Sequence, residues 1–472
     1  MKKKKVNERI ELAIESVAFE GKSVARHDNL VYFVKNAVPG DVVIAEVTKK
    51  KKSWREAFMV EIVTPSEDRV QPDCPYSDYC GGCSMQNLDY QRQLYWKKRH
   101  IADAFERVGK VPVGRIGDVH SSQTTFRYRN KMEFSFGASR WWTSEEIVDG
   151  EDIANKRFAL GLHIPERFDK VLDIDSCLIQ SEAADNVLKA VRAAVPDFGC
   201  TAYNTRTYRG FLRNLVIRYT GLKELMVILV TSAPETEEDR ALLNWYENEL
   251  DTAALGINSL VHAVCDKKSD LAIGEIDFIK GADFIYDSIL GIKYKISPFS
   301  FFQTNSGQLS SFIAKIVELA SIGKDDVVWD LYCGTGSITL PAAKHAGKIL
   351  GFEIVASSVS DAKENARINN IDNAEFVCID LHDRKIGEMM DAYPRPDIVI
   401  IDPPRAGMHP AMIDLLNSLK SPRIVYVSCN PMTQARDCSL LAENYEVLEI
   451  DPFDMFPHTY HIESIALLRL KT

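Results

Sequence analysis

Residues 327–337 read Val327-Val328-Trp329-Asp330-Leu331-Tyr332-Cys333-Gly334-Thr335-Gly336-Ser337. An apolar strand runs into a turn carrying two glycines, and a helical stretch follows. The glycines permit positive φ and let the backbone approach a ligand closely. Outward from this turn the order is regular. A helix over residues 310–320 precedes it, and buried strands follow at Lys348–Glu353, 397–402 and Arg423–Ser428, with helical stretches between them. Continuous apolar strands alternating with helices predict a parallel, doubly wound sheet. Ligands in such sheets bind beyond the carboxyl ends of the strands. The expected fold class is α/β, with a Rossmann-like domain over residues 300–472.

Upstream, residues 126–300 also alternate strands and helices, with strands at 215–219 and 225–230. A segment bearing Pro and Cys spans residues 72–83, and residues 94–108 have a helical pattern. Residues 64–299 are read together as an α/β central domain. Short strands at 10–14, 30–34, 42–47 and 57–63, with the turn Val38-Pro39-Gly40-Asp41, predict a small β-barrel over residues 1–63.

The 472 residues suffice for about three domains. Hydrophobic residues make up 46% and charged residues 26%, which excludes a disordered or collagen-like chain. No apolar run is long enough to span a membrane. Lys2 to Lys5 would suit the basic end of a signal peptide, but Glu8, Glu11 and Glu15 break any apolar core after them. A cytoplasmic location is expected. Ten cysteines are too sparse for a disulfide scaffold and point to metal or catalysis. The net charge of −10 argues against a protein that coats nucleic acid, yet local charge is what matters. Basic runs lie at Lys2 to Lys5, Lys49-Lys50-Lys51-Lys52 with Arg55, Lys97-Lys98-Arg99-His100 and Arg127-Tyr128-Arg129-Asn130-Lys131. They predict a polyanion-binding front on an acidic body.

Cys74, Cys80 and Cys83 are spaced C-x5-C-G-G-C. Thiolates so spaced suit zinc or an iron–sulfur cluster, and either wants a fourth ligand. Cys177, in Asp175-Ser176-Cys177-Leu178, is the candidate. In the C-terminal third, Glu353 ends the strand after the glycine turn, where an acid meets ribose hydroxyls, and Asp380 follows the next strand, well placed for adenine. Position 339 is Thr339 rather than a third glycine, and no Walker lysine follows Gly336. Two later loops, Asp402-Pro403-Pro404-Arg405-Ala406-Gly407 and Ser428-Cys429-Asn430-Pro431, follow successive strands at the same sheet edge. A cysteine at a strand end on the active face is a candidate nucleophile. Glu463, in His461-Ile462-Glu463, leads into the terminal strand over 465–470.

The turn 38–41, its strand, lysine loop and next strand resemble the TRAM domain, an RNA-binding barrel. The glycine turn with Glu353 and Asp380 resembles S-adenosylmethionine methyltransferases, whose cationic cofactor needs no phosphate cradle. Phe301-Phe302-Gln303-Thr304-Asn305, residues 330–336, 402–407, 428–431 and His461-Ile462-Glu463 occur in the order of the RNA (uracil-5-)-methyltransferase family. That resemblance covers essentially the whole chain. It implies methylation of carbon-5 of a uridine through a thiolate adduct at carbon-6, with Cys429 as nucleophile and Glu463 as the base that removes the carbon-5 proton. Gln303, Tyr332, Gly334, Gly336, Ser337, Glu353, Asp380 and Asp402 are implied in cofactor binding, with Gln303 and Asp402 also orienting uracil. Phe302 is the expected stacking ring, and a lowered Cys429 pKa is expected.

The same resemblance implies a closed, structural [4Fe-4S] cluster on Cys74, Cys80, Cys83 and Cys177, leaving Cys200, Cys265, Cys333, Cys378 and Cys438 as packing residues. A barrel with a cluster is similar to the enzymes of 23S ribosomal RNA, with transfer RNA as the alternative substrate. Two other readings compete: a non-catalytic iron–sulfur RNA-binding protein, and a radical enzyme, whose usual C-x3-C-x2-C spacing is absent. The expected partner is RNA, with no membrane, and the chain is expected to be a monomer.

Overall fold

The computed structural model describes residues 8–148, 158–268 and 271–472. Lys2 to Lys5 lie outside the described residues.

Strands β1 (Arg9–Val17), β2 (Ser23–His27), β3 (Leu30–Lys35), β4 (Val42–Lys50) and β5 (Trp54–Thr64) close into a barrel in the order β1-β2-β3-β5-β4. Alternation sends Leu12 and Ile14 inward and leaves Glu11 and Glu15 outside. Buried Asp41 pins the turn at 38–41. It accepts the Val38 and Ser66 amides at 2.7 and 2.9 Å and pairs with Arg69 at 2.6 Å. Gly40 has φ +92, and a Cβ there would stand 2.6 Å from Ser66 Oγ.

The predicted helix at 94–108 begins earlier, at Tyr90–Asp103, because Asp89 caps the Gln91 and Arg92 amides. It runs on through a wider turn to Gly109. Strand β6 (Val113–Ile116) follows. The central sheet comprises β7 (Lys131–Phe136), β8 (Arg140–Trp141), β9 (Leu160–Ile164), β10 (Arg167–Asp173), β11 (Leu212–Tyr219), β12 (Leu225–Thr231), β13 (Ser259–Val264) and β14 (Glu275–Gly281). Its order is β14-β13-β12-β11-β7-β9-β10-β8. A hairpin of β15 (Ile285–Ile289) and β16 (Ile292–Ile296) leads to the helix Ser306–Ala320, capped by Asn305.

The C-terminal sheet has β17 (Val327–Leu331), β18 (Lys348–Glu353), β19 (Ala374–Cys378), β20 (Ile398–Ile401), β21 (Arg423–Ser428), β22 (Tyr445–Phe453) and β23 (Glu463–Leu470). The order is β19-β18-β17-β20-β21-β23-β22-β6, with β17 to β21 parallel and β23 antiparallel. The expected division at residue 299/300 is crossed: β6 joins this sheet beside β22. Both sheet faces are covered, which is why the strands read as continuous apolar runs. Val328, Ile400 and Val425 enter one core, which also takes Val216 and Ile228 of the central sheet. Trp329, Val399 and Tyr426 enter the other. The order reverses between β17 and β20, the switch point at which such sheets bind ligands. Among the described residues no helix is long and apolar enough to cross a membrane.

The basic runs divide on folding. Lys49 to Lys52 are exposed at the tip between β4 and β5. Lys97 and His100 are not surface groups. Lys97 is fully buried against Asp454, and His100 bonds the Val17 carbonyl at 2.8 Å. They sit on the helix face that packs inward, so the expected cluster there reduces to Lys98 and Arg99. Arg127 pairs with Asp185 and donates to the Cys177 and Gln180 carbonyls, bracing the cysteine region.

Candidate active site

A cavity of about 600 Å³ lies at the carboxyl ends of β17, β18, β20 and β21. On one side the glycine turn bends away from β17, with Tyr332, Gly334 and Gly336 all at positive φ. The Gly334 amide donates to the Glu353 carboxylate at 3.1 Å, which ties the turn to the end of β18. Tyr332, Gly334, Glu353 and Asp380 line this half with the apolar Ile354, Val355 and Leu381. Gly336 and Ser337 are not lining residues. A Cβ at Gly336 would meet the Phe376 ring at 3.2 Å, so this glycine serves packing beneath the turn.

Register builds the other half. Strands β21 and β23 are antiparallel with Ser428 opposite Ser464, so Cys429 and Glu463, one position beyond that pair, adjoin at the end of the ladder, near enough for Glu463 to raise the Cys429 thiol. Cys429 sits on a tight strand-to-helix corner. Asn430 caps the helix Pro431–Leu441, and Ser428 Oγ accepts the Asn430 amide at 3.1 Å. Asn430 Nδ2 and Thr433 Oγ1 both donate to the Arg405 carbonyl, joining this corner to the Asp-Pro-Pro-Arg loop after β20. Gln303 Nε2 donates to Asp402 at 3.4 Å, and its own carbonyl is held by Asn130 Nδ2 at 2.8 Å. One cavity thus gathers Cys429, Glu463, Asp402 and Gln303 with the residues of the glycine-turn side.

Electrostatics here run against one expectation. Burial pushes the Cys429 thiol up to about 12, Glu463 and Asp402 add to the rise, and Arg405 opposes it. The resting group is a thiol rather than a thiolate. Burial raises Asp402 to about 7 and lifts Glu463 well above the carboxylate range. His461, drawn down to about 4 by burial and by Arg405, is neutral and lies 3.5 Å from the Arg405 guanidinium.

The ring exposed to the cavity also differs from the one expected. Phe302 is buried in the core against Tyr294, whereas Phe301 is 61% exposed and lines the cavity. Adjacent residues in an extended segment point to opposite sides, and the sequence does not say which faces the ligand. Arg405, His461 and Phe456 also line the cavity, with no role expected of them from the sequence, and so does Arg129, expected only as part of a basic run. Arg405 and His461 stand within the motifs quoted above, whereas Phe456 gives no local signal.

A family model described as tRNA (Uracil-5-)-methyltransferase matches residues 216–471, and a TRAM domain model matches residues 3–54. The chain is 39% identical over 461 residues to an uncharacterized RNA methyltransferase of Bacteroides thetaiotaomicron, covering 96% of this chain and all of that protein. A Porphyromonas gingivalis uncharacterized RNA methyltransferase is 38% identical over 466 residues, 97% of this chain and 99% of that one. The Pyrococcus abyssi tRNA (uracil-54, C5)-methyltransferase, solved with S-adenosyl-L-homocysteine, superposes with a TM-score of 0.74 at 28% identity, over 97% of this chain and all of that one.

The chain belongs to the tRNA (uracil-5-)-methyltransferase family.

As a member of this uracil-5-methyltransferase family it is an S-adenosylmethionine-dependent RNA methyltransferase with a TRAM barrel. The cavity suits that cofactor. Its lining holds the carboxyl groups of Glu353, Asp380 and Asp402, which would suit a cation and its hydroxyls, with the apolar Ile354, Val355 and Leu381 and no lysine.

The uracil-5-methyltransferase's four candidate ligand thiols gather beside the central sheet. Cys177 belongs to its core, and Cys80 and Cys83 pack on it. Burial, with the neighbouring thiols, Cys74 among them, adding to it, pushes Cys80 and Cys177 up to about 12. Gly81 admits close approach: a Cβ there would stand 2.8 Å from the His163 carbonyl. Among the described residues no group of three or more His, Cys, Asp or Glu side chains is set to hold a single metal ion. Of the five cysteines expected to pack, Cys265, Cys333 and Cys438 are buried, Cys200 is partly buried and Cys378 is exposed.

Proposed function

We propose that this chain methylates carbon-5 of a uridine in 23S ribosomal RNA through a covalent adduct between Cys429 and carbon-6 of the base. Supporting this is the β21–β23 register, which sets a thiol opposite a buried carboxyl in a cavity able to take both cofactor and base. Carbon-5 of uracil is too weak a nucleophile to take a methyl group directly. The Cys429 sulfur gives its electron pair to carbon-6, its proton passes to a carboxylate coupled to it, and the π pair moves onto carbon-5 and the adjacent carbonyl. S-adenosylmethionine supplies an electrophilic methyl group to carbon-5. An ionised Glu463 then takes the carbon-5 proton, the double bond reforms and the thiolate leaves. Burial raises Asp402 to about 7 and lifts Glu463 above the usual carboxylate range, so both groups beside the thiol are suited to taking up and returning protons. Asp402 and Gln303 orient uracil and cofactor, and Phe301 stacks on the base after it leaves the RNA helix.

Cys74, Cys80, Cys83 and Cys177 hold a [4Fe-4S] cluster in this reading. Cys74, Cys83 and Cys177 each raise the Cys80 thiol, so the four stand near one another, as the ligands of one cluster must. The group is structural, closing the loop 74–83 onto the central sheet. The enzyme acts in the cytoplasm as a monomer, and the lysine tip at 49–52 with Arg129 contacts RNA phosphates.

A second reading, transfer RNA as substrate, is favoured by one observation: the Pyrococcus abyssi protein that matches over the whole chain is a tRNA (uracil-54, C5)-methyltransferase. Mapping 5-methyluridine in ribosomal and transfer RNA from cells with and without the gene decides between the two. Loss of a 23S site supports the first, loss of a transfer-RNA site the second, and no loss in either overturns both.

A further inference from the structure

Behind Phe301 a second cavity of about 360 Å³ opens, within the range of small-ligand pockets. It shares Arg129, Phe301 and Thr304 with the catalytic cavity. The rest of its wall is Phe302, Ile179 from the loop after β10, residues of the central sheet and Gly82 of the cysteine loop. Met132, Leu162 and Ile179 make it apolar, Gly82 closes one side, and Lys131 and Glu133 pair at 2.6 Å at its polar edge. Apart from the shared residues, none of this wall takes part in the chemistry above.

The three shared residues are equipped for a ligand. Phe301 is exposed despite its size. Arg129 donates Nε to the Lys131 carbonyl at 3.1 Å, and among the described residues no carboxylate pairs with it. Thr304 Oγ1 has no hydrogen-bond partner among the described residues. An aromatic ring, an uncompensated cation and an unsatisfied hydroxyl therefore stand on the partition between two cavities. A phosphate linking two nucleotides would cross at that partition if each cavity took one base.

We propose that the second cavity receives the base of the nucleotide adjacent to the target uridine, with the linking phosphate on Arg129 and the Phe301 ring between the two bases. The inference rests on the catalytic cavity being the uridine site. A base that flips out strips its neighbour of a stacking partner. Seating that neighbour on an aromatic residue replaces the lost stacking, as in single-stranded RNA recognition generally. The occupant is not the cofactor: Glu353, Asp380 and Asp402, which suit a cation, line the catalytic cavity and not this one, and Glu133, the one carboxylate here, is already paired.

The test uses the full chain with S-adenosylhomocysteine and an RNA pentamer carrying one central uridine between cytidines. The pentamer is intact or made abasic on the 5′ or the 3′ side of the uridine. Removing the base on one side should weaken binding about tenfold, and on the other side less than about threefold. Leu162→Trp, which fills the cavity, should weaken the intact pentamer about tenfold and abolish the difference between intact and abasic RNA, with S-adenosylhomocysteine affinity kept as the control for folding. Ile179→Phe serves if Leu162→Trp does not fold. Arg129→Gln should reduce the slope of log affinity against log salt by about 0.7, one phosphate on a single strand. Equal abasic losses in the filled and unaltered proteins, or no loss on either side, would overturn the proposal. Methyl transfer from labelled S-adenosylmethionine to the pentamer is read separately; its absence counts against the uridine reaction and leaves the binding result standing.

Discussion

Lys97 and Asp454 form a 2.6 Å ion pair in which neither side chain reaches solvent. Lys97 also donates to the Phe456 carbonyl at 3.1 Å, and the Phe456 amide donates to Asp454 at 3.2 Å. The pair fixes the segment between β22 and β23, which carries Phe456 and His461 into the cavity and delivers Glu463. The loop after Cys83 holds the same segment: the Ser84 and Met85 amides donate to the His458 carbonyl at 3.0 and 2.9 Å. Placement of the candidate base thus depends on residues more than 350 positions upstream.

Removing one partner of a buried pair leaves an uncompensated charge, which costs about 3–5 kcal/mol. Lys97→Met should lower stability by that order in urea unfolding, and Lys97→Met with Asp454→Leu should recover most of it. The salt dependence of RNA binding should be unchanged in both. A reduced slope would return Lys97 to the RNA surface.

The exposed lysines behave differently. Changing Lys51 and Lys52 to Ala should reduce the salt slope of RNA binding by about 0.7 for each phosphate no longer neutralised. Affinity for S-adenosylhomocysteine should not move. Deleting residues 1–63 is a harsher change, because Phe19 of the barrel packs edge-on against Tyr460 and Val17 and Val38 share a core with Met85 and Leu88. That deletion should impair methyl transfer even to short RNA, assayed with labelled cofactor.

Cys429 and Glu463 act at different steps. Cys429→Ala should form no adduct and transfer no methyl group. Glu463→Gln should still add and methylate but release product slowly, leaving RNA on the protein through a denaturing gel; removing a general base typically slows a reaction about 10²–10⁴-fold. RNA with 5-fluorouridine at the target should trap the unaltered enzyme likewise. Absence of any adduct would mean direct transfer without carbon-6 addition.

Asp402 titrates from an ordinary 3.8 but near 7 in the folded chain. Between those values the native state keeps a proton that the unfolded chain releases. Asp402 therefore contributes stability fully below about pH 4, and that contribution is lost as pH rises through 7. Asp402→Asn should melt higher than the unaltered protein at pH 8 and about equally at pH 4, while losing activity. In the unaltered enzyme, single-turnover methylation should rise with pH through neutrality as the carboxylates ionise. A melting difference that is the same at both pH values would show that Asp402 is not protonated in the native state.

Anaerobic purification should yield a brown protein with about four iron and four sulfide per chain. Cys177→Ser should lose the colour and Cys200→Ser should keep it. Zinc in place of iron would refute the cluster.

The local sequence determined the elements near which the chemistry is placed. Apolar runs at Val327–Leu331, Ile398–Ile401 and Arg423–Ser428 had to be buried on both faces, and the residues that end them had to emerge at one sheet edge, so the loops carrying Asp402 and Cys429 were legible without coordinates. The barrel was legible for the same reason: alternation and the turn at 38–41 are properties of short segments. What only the tertiary structure decided depends on pairs far apart in sequence. β6 crosses into the C-terminal sheet, Lys97 is buried rather than basic surface, and Phe301 rather than Phe302 faces the cavity. The direction of the Cys429 shift belongs here too. A motif names a thiol, but its proton affinity follows from the water excluded around it and the carboxylates brought beside it, and both exist only once β21 and β23 have paired.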